Sequence, residues 1–182
     1  MPKILDSMRE QLLTAARRQI ESCGYAKTTI RSVAAECGIA VGTVYNYFPS
    51  KDVLIATFLS EDWRACIEAI AAHETDDART RMKRIYDALL GFSQRHRALF
   101  SDADAEKPYQ QAFGTRHRML REQLAALILP VCGDAADRAF LSEFIAESLL
   151  TWTLEGKPFE DICRVIQRTI NHESEETGNE QL

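Results

Sequence analysis

Long apolar runs are missing from this chain of 182 residues. The longest charge-free apolar run, residues 124–132, contains Pro130 and is far shorter than the roughly 20 residues of a transmembrane helix. In residues 1–13, Asp6, Arg9 and Glu10 interrupt the apolar positions, which is unlike a secretory signal. We therefore expect a cytoplasmic protein without a membrane-spanning segment.

Motifs for metal binding and catalysis are also missing. The five cysteines are widely spaced, without a C-x-x-C pair, so we expect neither disulfides nor a zinc site. No His, Cys, Asp and Glu residues have the spacing of metal ligands, and we predict no metal and no cofactor. The chain lacks a G-x-S-x-G motif, a nucleotide-binding loop and paired carboxylates in a recognisable frame, so an enzyme is the least expected class.

The net charge of -5 argues at first against a nucleic-acid partner. However, residues 1–51 contain seven basic and four acidic residues, whereas the remainder contains 15 basic and 23 acidic residues. The first part of the chain is therefore positive and the rest negative. This division fits a protein whose N-terminal part binds a polyanion while the rest has another role.

Apolar residues in steps of three and four predict helices through the first third of the chain. The first helix is predicted to end at Gly24, and the second runs from the cap Thr28 to Gly38. A short third helix begins near residue 40 and stops before Pro49. Ser50 then caps a fourth helix that continues to about residue 73.

The remaining sequence also predicts helices, and alternating β-branched runs are absent. We expect helices near 76–94, 98–105, 109–129, 135–155 and 158–172. The predicted fold class is therefore all-α.

The second and third predicted helices have the features of a helix-turn-helix. Ala34 is small enough to let the two helices approach, and Ile39 is an apolar anchor in the turn. Val44 and Phe48 are expected to form the inner face of the third helix. The outward positions carry side chains that suit phosphates and base edges: Arg31, Thr43, Asn46 and Tyr47, with Gly42 allowing close approach of the backbone and Lys51 adding a cation. The alternative is an ordinary amphipathic helix with surface tyrosines.

The segment TTIRSVAAECGIAVGTVYNYFPSKDVL resembles the DNA-binding signature of the TetR (tetracycline repressor) family of bacterial transcription regulators. The resemblance covers about residues 8–59. It implies that phosphates or bases are held by Thr28, Arg31, Thr43, Tyr45, Tyr47 and Lys51, and that the groove is faced by Ala40, Val41, Gly42 and Asn46. Many relatives carry a polar or basic residue in place of Val41, so we expect an apolar contact with a thymine methyl group there.

The same resemblance implies an organisation into two domains. Residues 1–51 form the helix-turn-helix DNA-binding domain, the fourth helix (about 50–73) joins it to the rest, and residues 74–182 form an effector-binding and dimerisation domain. A small-molecule pocket is implied with these lining residues: Tyr86, Phe92, Phe100, Tyr109, Phe113, His117 and Trp152. The aromatic residues can equally be ordinary core. His96 and His117, each between two arginines, are candidates for contact with an anionic effector; the preferred interpretation is solvated basic faces paired with Asp102, Asp104 and Glu106.

The last two predicted helices are rich in apolar residues, which indicates packing both within the subunit and across a two-fold axis. We therefore expect a homodimer formed through these helices. The predicted function is a ligand-responsive DNA-binding regulator, expected to be a repressor that a small molecule releases from a palindromic operator. The alternatives are a helical interaction protein without DNA binding and, last, a small all-α enzyme.

Overall fold

The computed structural model describes residues 2–73, 77–100, 117–133 and 137–176, and these contain helices and no strand. The all-α prediction is confirmed. None of the described helices combines the length and apolar composition that crossing a bilayer requires. The helices are α1 Pro2–Lys27, α2 Ile30–Glu36, α3 Val41–Tyr47, α4 Lys51–Ala71, α5 Ala78–Arg95, α6 Arg97–Phe100, α7 at residues 117–128, α8 Arg138–Leu154 and α9 Phe159–Glu176, with a 3-10 turn at Leu129–Val131.

Packing divides the chain into two compact units. The front unit is Met1–Ala65 with Phe92–Gly114, and the rear unit is Cys66–Gly91 with Thr115–Leu182. Helices α4 and α5 each contribute residues to both units. The packing division therefore differs from the expected domain limits at residues 51 and 74, and those functional limits remain a prediction.

The front unit is built on α1, which packs against α2 and α6, while α2 packs against α3. Its centre contains fully buried aliphatic and aromatic side chains from all of these helices and from α4. They include Leu12, Leu13, Ala16, Val33, Ala34, Val44, Phe48, Leu54, Phe58 and Leu99. Burial of this apolar surface, rather than the intrinsic stability of the short helices, holds α2 and α3 in place.

The corner between α1 and α2 differs in detail from the prediction. Gly24, with φ 81° and ψ 173°, interrupts the helix as predicted, and a short helical segment after this kink brings α1 to its end at Lys27. The N-cap of α2 is Thr29, not Thr28. The Thr29 hydroxyl accepts a hydrogen bond from the Ser32 amide at 3.0 Å, and the Ser32 hydroxyl accepts one from the Thr29 amide at 2.9 Å. This reciprocal capping box fixes the start of α2.

In the rear unit, α8 packs against α9. Its buried residues include Met82, Ile85, Leu89, Leu124, Ile128, Leu141, Ile145, Leu149, Ile162 and Ile166. Arg81 is buried among them and donates to the carbonyl oxygens of His73 at 2.8 Å and Leu127 at 3.1 Å. These carbonyls lie at or just beyond the C-terminal ends of α4 and α7, where a cation is favourable.

Candidate nucleic-acid interface

The turn between α2 and α3 is tight and has an apolar anchor. Gly38 has φ 67°, and the amide of Ile39 donates to the Ala34 carbonyl at 3.0 Å. Ala34 is buried and Ile39 packs partly into the front core, as the sequence predicts. The turn thereby places α3 across α2 in the order that a helix-turn-helix requires.

Helix α3 has an apolar inner face and a polar outer face. Val44 and Phe48 are buried, which confirms the predicted inner face. Tyr45 is 51% exposed and Asn46 is exposed, whereas Thr43 is half-buried. Tyr47, expected to face outward, is half-buried and packs partly against the core.

The polar side chains of α3 have no hydrogen-bond partner within the part of the chain that the structure describes. This holds for Thr43, Tyr45, Asn46 and Tyr47. Side chains used in internal networks are held by such bonds, as Gln19 is by Glu36 at 2.6 Å. The donors and acceptors on α3 therefore remain available to another molecule.

At the start of α3 the backbone is accessible, because Ala40 and Gly42 are exposed and have small side chains or none. Ala40 is the exposed N-cap and makes no side-chain hydrogen bond to the helix. Gly42 is exposed, and a Cβ atom placed there would meet no atom of the described chain within 4 Å. Nothing in the folded unit therefore demands a glycine at position 42. Val41 is half-buried and packs against the core, so only part of its side chain is open to the expected thymine contact.

The two predicted contacts on or before α2 have different environments. Arg31 is exposed. Thr28 is fully buried, and its hydroxyl donates to the Gly24 carbonyl at 2.8 Å. The expected contact of the Thr28 side chain with DNA is therefore wrong, because that side chain is internal and its donor is used. The neighbouring Thr29, which is exposed, is not among the residues predicted from the sequence.

Lys51 is half-buried at the start of α4. Its ammonium donates to the Tyr25 carbonyl at 3.0 Å and lies 3.6 Å from the centre of the Tyr25 ring. The Tyr25 hydroxyl donates in turn to Asp52. The cap predicted for this helix is confirmed, since the Ser50 hydroxyl accepts from the Val53 amide at 3.2 Å.

Ion pairs reduce the positive excess that the sequence shows in residues 1–51. Three of its arginines bind carboxylates of the same unit: Arg9 binds Glu61 at 2.7 Å, Arg17 binds Asp62 at 2.8 Å, and Arg18 binds Glu36. Hydrogen bonds from Gln19 and Arg18, with the charge of Arg18, lower the pKa of Glu36 despite the opposing effect of burial. Lys27, Arg31 and Lys51 form no ion pair with a described carboxylate, so their charges are not neutralised internally.

His96 is internal, which corrects its interpretation as part of a solvated basic face. It is only 6% exposed, and its Nε2 lies 3.2 Å from Oδ2 of Asp62. The rings of Phe58, Phe92 and Phe100 surround it. Burial lowers the pKa of His96, the charge of Asp62 opposes this, and the charges of Arg95 and Arg17 lower it further.

The aromatic residues expected in the pocket lie in both compact units. Phe92 and Phe100 belong to the front unit, with ring centres 6.3 Å apart. In the rear unit Tyr86 packs on Phe159 at 5.5 Å, and its hydroxyl donates to the Lys157 carbonyl. Tyr109 and Phe113 lie outside the described residues.

The other two residues expected in the pocket are half-buried in the rear unit. His117 is hydrogen-bonded to Glu147 at 3.0 Å, and Trp152 lies on α8. The expected partners of the basic segments, Asp102, Asp104 and Glu106, lie outside the described residues. The pocket remains a prediction.

A surface cleft of about 490 Å³ lies between α5 and α9. It is lined by none of the residues expected in the pocket; its lining is Arg79, Thr80, Lys83, Arg84, Asp87, Phe159 and Glu160. In the described ranges no group of three or more His, Cys, Asp and Glu residues is arranged to hold a metal ion.

Known proteins resemble this chain in the sequence of its N-terminal part and in fold. Residues 12–57 match the model of bacterial regulatory proteins of the tetR family. The HTH-type transcriptional regulator BetI of Stenotrophomonas maltophilia is 33% identical over 89 residues, and this match spans less than half of either protein, 47% of this chain and 45% of BetI. The HTH-type transcriptional repressor Rv1474c of Mycobacterium tuberculosis is 25% identical, with 94% of this chain and 97% of that protein covered.

A solved structure extends the similarity to the fold. The TetR transcription regulator from Haloarcula marismortui superimposes with a TM-score of 0.62 at 23% identity, over 92% of this chain and 96% of that one. At this identity the likeness shows the fold alone. The match of residues 12–57 covers the turn, the buried anchors and the outward side chains of α3 described above. Residues 12–57 thus match the tetR family of bacterial regulatory proteins, and the chain has the fold of a solved TetR transcription regulator.

Proposed function

We propose that the chain is a homodimeric repressor that binds a palindromic operator through α3 and is released by a small molecule. The observation that carries the proposal is the outer face of α3, where polar side chains without internal partners surround a glycine that the fold itself does not require. Repression, as opposed to activation, is supported by the name of the relative from M. tuberculosis. An operator as partner places the protein in the cytoplasm.

Three cations of the front unit fit the phosphate backbone. Lys27, Arg31 and Lys51 keep their charge because no described carboxylate neutralises them. Phosphate contacts of this kind supply affinity and register without reading sequence. Arg31 and Lys51, which the sequence already indicates, are assigned this role, together with the hydroxyl groups of Thr43 and Tyr47.

The base-reading positions are the exposed ones. Asn46 carries both a donor and acceptors, which suits the edge of adenine in the major groove. Tyr45 is the most exposed aromatic residue of α3 and can reach either a base or a phosphate. Ala40, Val41 and Gly42 contribute a close approach of the backbone, and Val41 adds a small apolar surface for a thymine methyl group.

The proposed dimer is supported by apolar side chains that the single chain leaves exposed. On α8, Phe140 is 72% exposed and Phe144 and Leu154 are also exposed, and Val165 is exposed on α9. Large apolar side chains grouped on two helices favour a protein interface over contact with water. A second copy of the chain would supply a second α3, and two half-sites about one helical turn (~34 to 36 Å) or a multiple apart would then be bound together.

The proposed effector acts through reciprocal coupling. A small molecule that favours a different separation of the two α3 helices would weaken operator binding, and the operator would weaken the effector equally. Typical coupling is about 1 to 3 kcal/mol. The expected pocket lies in the C-terminal domain, and its support is the family resemblance and the aromatic content.

The proposal can be tested by selecting, from a random pool of DNA duplexes, those that the protein binds. We expect the selected sequence to be a palindrome. Binding of that sequence should then be measured by fluorescence anisotropy over a range of salt concentrations. Arg31→Ala should weaken binding and lower the slope of log affinity against log salt by roughly 0.9 for each phosphate that is no longer bound. Arg164→Ala is the matched control, because it removes an exposed arginine of the rear unit that pairs with the exposed Asp161 at 3.1 Å.

Two results would count against the proposal. Absence of salt-sensitive binding to any duplex would favour the helical interaction protein instead. Equal effects of Arg31→Ala and Arg164→Ala would show that net charge, and not the α3 surface, determines binding.

A further inference from the structure

We infer that Tyr25 is a positioning residue for DNA binding, which holds the ammonium of Lys51 where it meets an operator phosphate. The inference rests on the proposed function, since it assigns a new residue to the same interface. Tyr25 is absent from the set of contacts expected from the sequence and is itself buried. It therefore acts through Lys51 and does not touch DNA.

The geometry shows a lysine held at two points. Nζ of Lys51 donates to the Tyr25 carbonyl at 3.0 Å and lies 3.6 Å from the centre of the Tyr25 ring. The ring is itself fixed, since Tyr25 is buried and its hydroxyl donates to Asp52 in the first turn of α4. Residues from the end of α1 and the start of α4 thus hold one cation.

The capping box of α2 explains why the Tyr25 carbonyl can accept from Lys51. In a continuing helix this carbonyl would accept from the amide of Thr29, four residues later. That amide instead donates to the Ser32 hydroxyl at 2.9 Å. The Tyr25 carbonyl accepts from Lys51, so the site that holds Lys51 lies at the turn that begins α2.

The contacts of Lys51 orient its charge without cancelling it. An ammonium has three donors, and a carbonyl and an aromatic ring carry no full negative charge. A donor and the positive charge therefore remain for a phosphate oxygen. Arg18 is the contrasting case, because its partner is the carboxylate of Glu36. Ordering a long lysine side chain before binding reduces the entropy cost of holding the phosphate.

A double-mutant cycle on operator binding tests the inference. Lys51→Ala should weaken binding roughly tenfold and lower the salt slope by about 0.9 per phosphate contact. Tyr25→Leu should weaken binding by roughly five- to tenfold in the wild-type background but less than about twofold in the Lys51→Ala background. A merely structural effect would lower affinity by the same factor in both backgrounds without changing the salt slope, and that result would overturn the inference.

Tyr25→Phe tests the contribution of the ring separately from that of the hydroxyl group. It keeps the ring and the backbone carbonyl that contact Lys51, so affinity should stay within roughly threefold of the wild type. A decrease as large as that of Tyr25→Leu would exclude a ring-held ammonium.

A measurement on the wild-type protein covers the case in which Tyr25→Leu does not fold. Proton NMR should show the Cε protons of Lys51 shifted upfield by the ring, and the shift should persist when operator is added. Disappearance of the shift on binding would show that Lys51 leaves the ring to reach DNA and would overturn the inference. If the wild type binds a palindrome and Arg31→Ala weakens it while Lys51→Ala does not, only this inference fails and the proposed function stands.

Discussion

The front and rear units expose opposite kinds of side chain. Around α3 the front unit exposes Arg31, Tyr45 and Asn46, which are polar or charged and lack internal partners. Along α8 the rear unit exposes Phe140 and Phe144, which are apolar. Polar side chains without partners can form hydrogen bonds and ion pairs with a charged molecule such as DNA. Exposed apolar side chains gain free energy when an interface removes them from water. The two surfaces therefore suit different partners, and the proposed function assigns DNA to one and a second copy of the chain to the other.

The helices that carry these surfaces differ in how they are held. Helix α3 has seven residues, too few for a stable isolated helix, and depends on the burial of Val44 and its C-cap Phe48. Helix α8 has 17 residues, eight of them buried. A short helix on a packed support can use most of its surface for recognition. A long helix such as α8, which also has apolar side chains at its exposed positions, offers an apolar surface for association with another protein.

The largest expected effect comes from placing a charge on the apolar surface of the rear unit. We expect Phe140→Glu to produce monomers, because a carboxylate at a buried interface would be dehydrated without gaining a partner. Without the linkage between two α3 helices, binding to a palindrome should then weaken by about 10² to 10⁴-fold. Sedimentation velocity measures the first effect and fluorescence anisotropy the second.

Phe100→Glu is the matched control for this substitution. Phe100 is also an exposed phenylalanine, but it belongs to the front unit. It should leave the oligomeric state unchanged. Dimers of the same stability in both variants would remove the proposed role of α8.

An intermediate effect is expected from acid, since each unit contains a histidine–carboxylate pair in a different setting. Burial lowers the pKa of His96 in the front unit below its ordinary value of 6.5. The unfolded state therefore binds more protons below pH 6.5, so the contribution of His96 to stability is present above that pH and is lost as the pH falls.

Glu147 in the rear unit titrates in a lower range. Burial raises its pKa, but hydrogen bonds from Thr151 and His117 and the charges of His117 and Arg121 outweigh burial, so the pKa lies below its ordinary value of 4.5. Its contribution to stability is present above pH 4.5 and is lost as the pH falls further. Between pH 6.5 and 4.5, of these two groups only His96 should weaken its unit.

The two tryptophans of the chain allow each unit to be followed separately. Trp63 packs against Phe92 in the front unit, and Trp152 lies in the rear unit. In a Trp152→Phe background, the urea midpoint reported by Trp63 should fall between about pH 7 and about pH 5, and His96→Phe should remove most of that fall. The midpoint reported by Trp152 in a Trp63→Phe background should change less. An equal fall with and without His96 would assign the effect to other groups.

Local features of the front unit were predictable, but contacts between distant residues were not. The faces of α3 follow from the spacing of Val44 and Phe48, and the cap of α4 follows from Ser50, because each depends on neighbouring residues only. The environment of His96 depends on Asp62 in another helix, so the flanking arginines suggested a solvated face. The prediction for Thr28 was wrong for a related reason, since two adjacent threonines have equal capping ability and only the capping box with Ser32 selects Thr29.

The candidate site was predictable to the extent that it is a continuous segment. Arg31 and the residues of α3 lie within one run of sequence, and the resemblance to a known family named them together. Tyr25 could not be predicted because its contact with Lys51 joins α1 to α4. The packing of residues 92–100 in the front unit could not be predicted for the same reason, because sequence periodicity gives the helix but not the unit against which it packs.

The smallest expected effect comes from replacing one helical glycine in each unit by alanine. Gly42 in α3 and Gly91 in α5 both lie in helices, and a Cβ atom at either position meets no described atom within 4 Å. Alanine at each position should therefore raise the free energy of unfolding by roughly 0.5 to 1 kcal/mol, because glycine loses more backbone entropy on folding. Only Gly42→Ala should also weaken operator binding, since its methyl group would occupy the space that the DNA backbone approaches. Urea unfolding and fluorescence anisotropy of both variants measure the two effects. If Gly42→Ala is as harmless to binding as Gly91→Ala, the open space at the start of α3 is not filled by DNA, and recognition must rest on the exposed side chains alone.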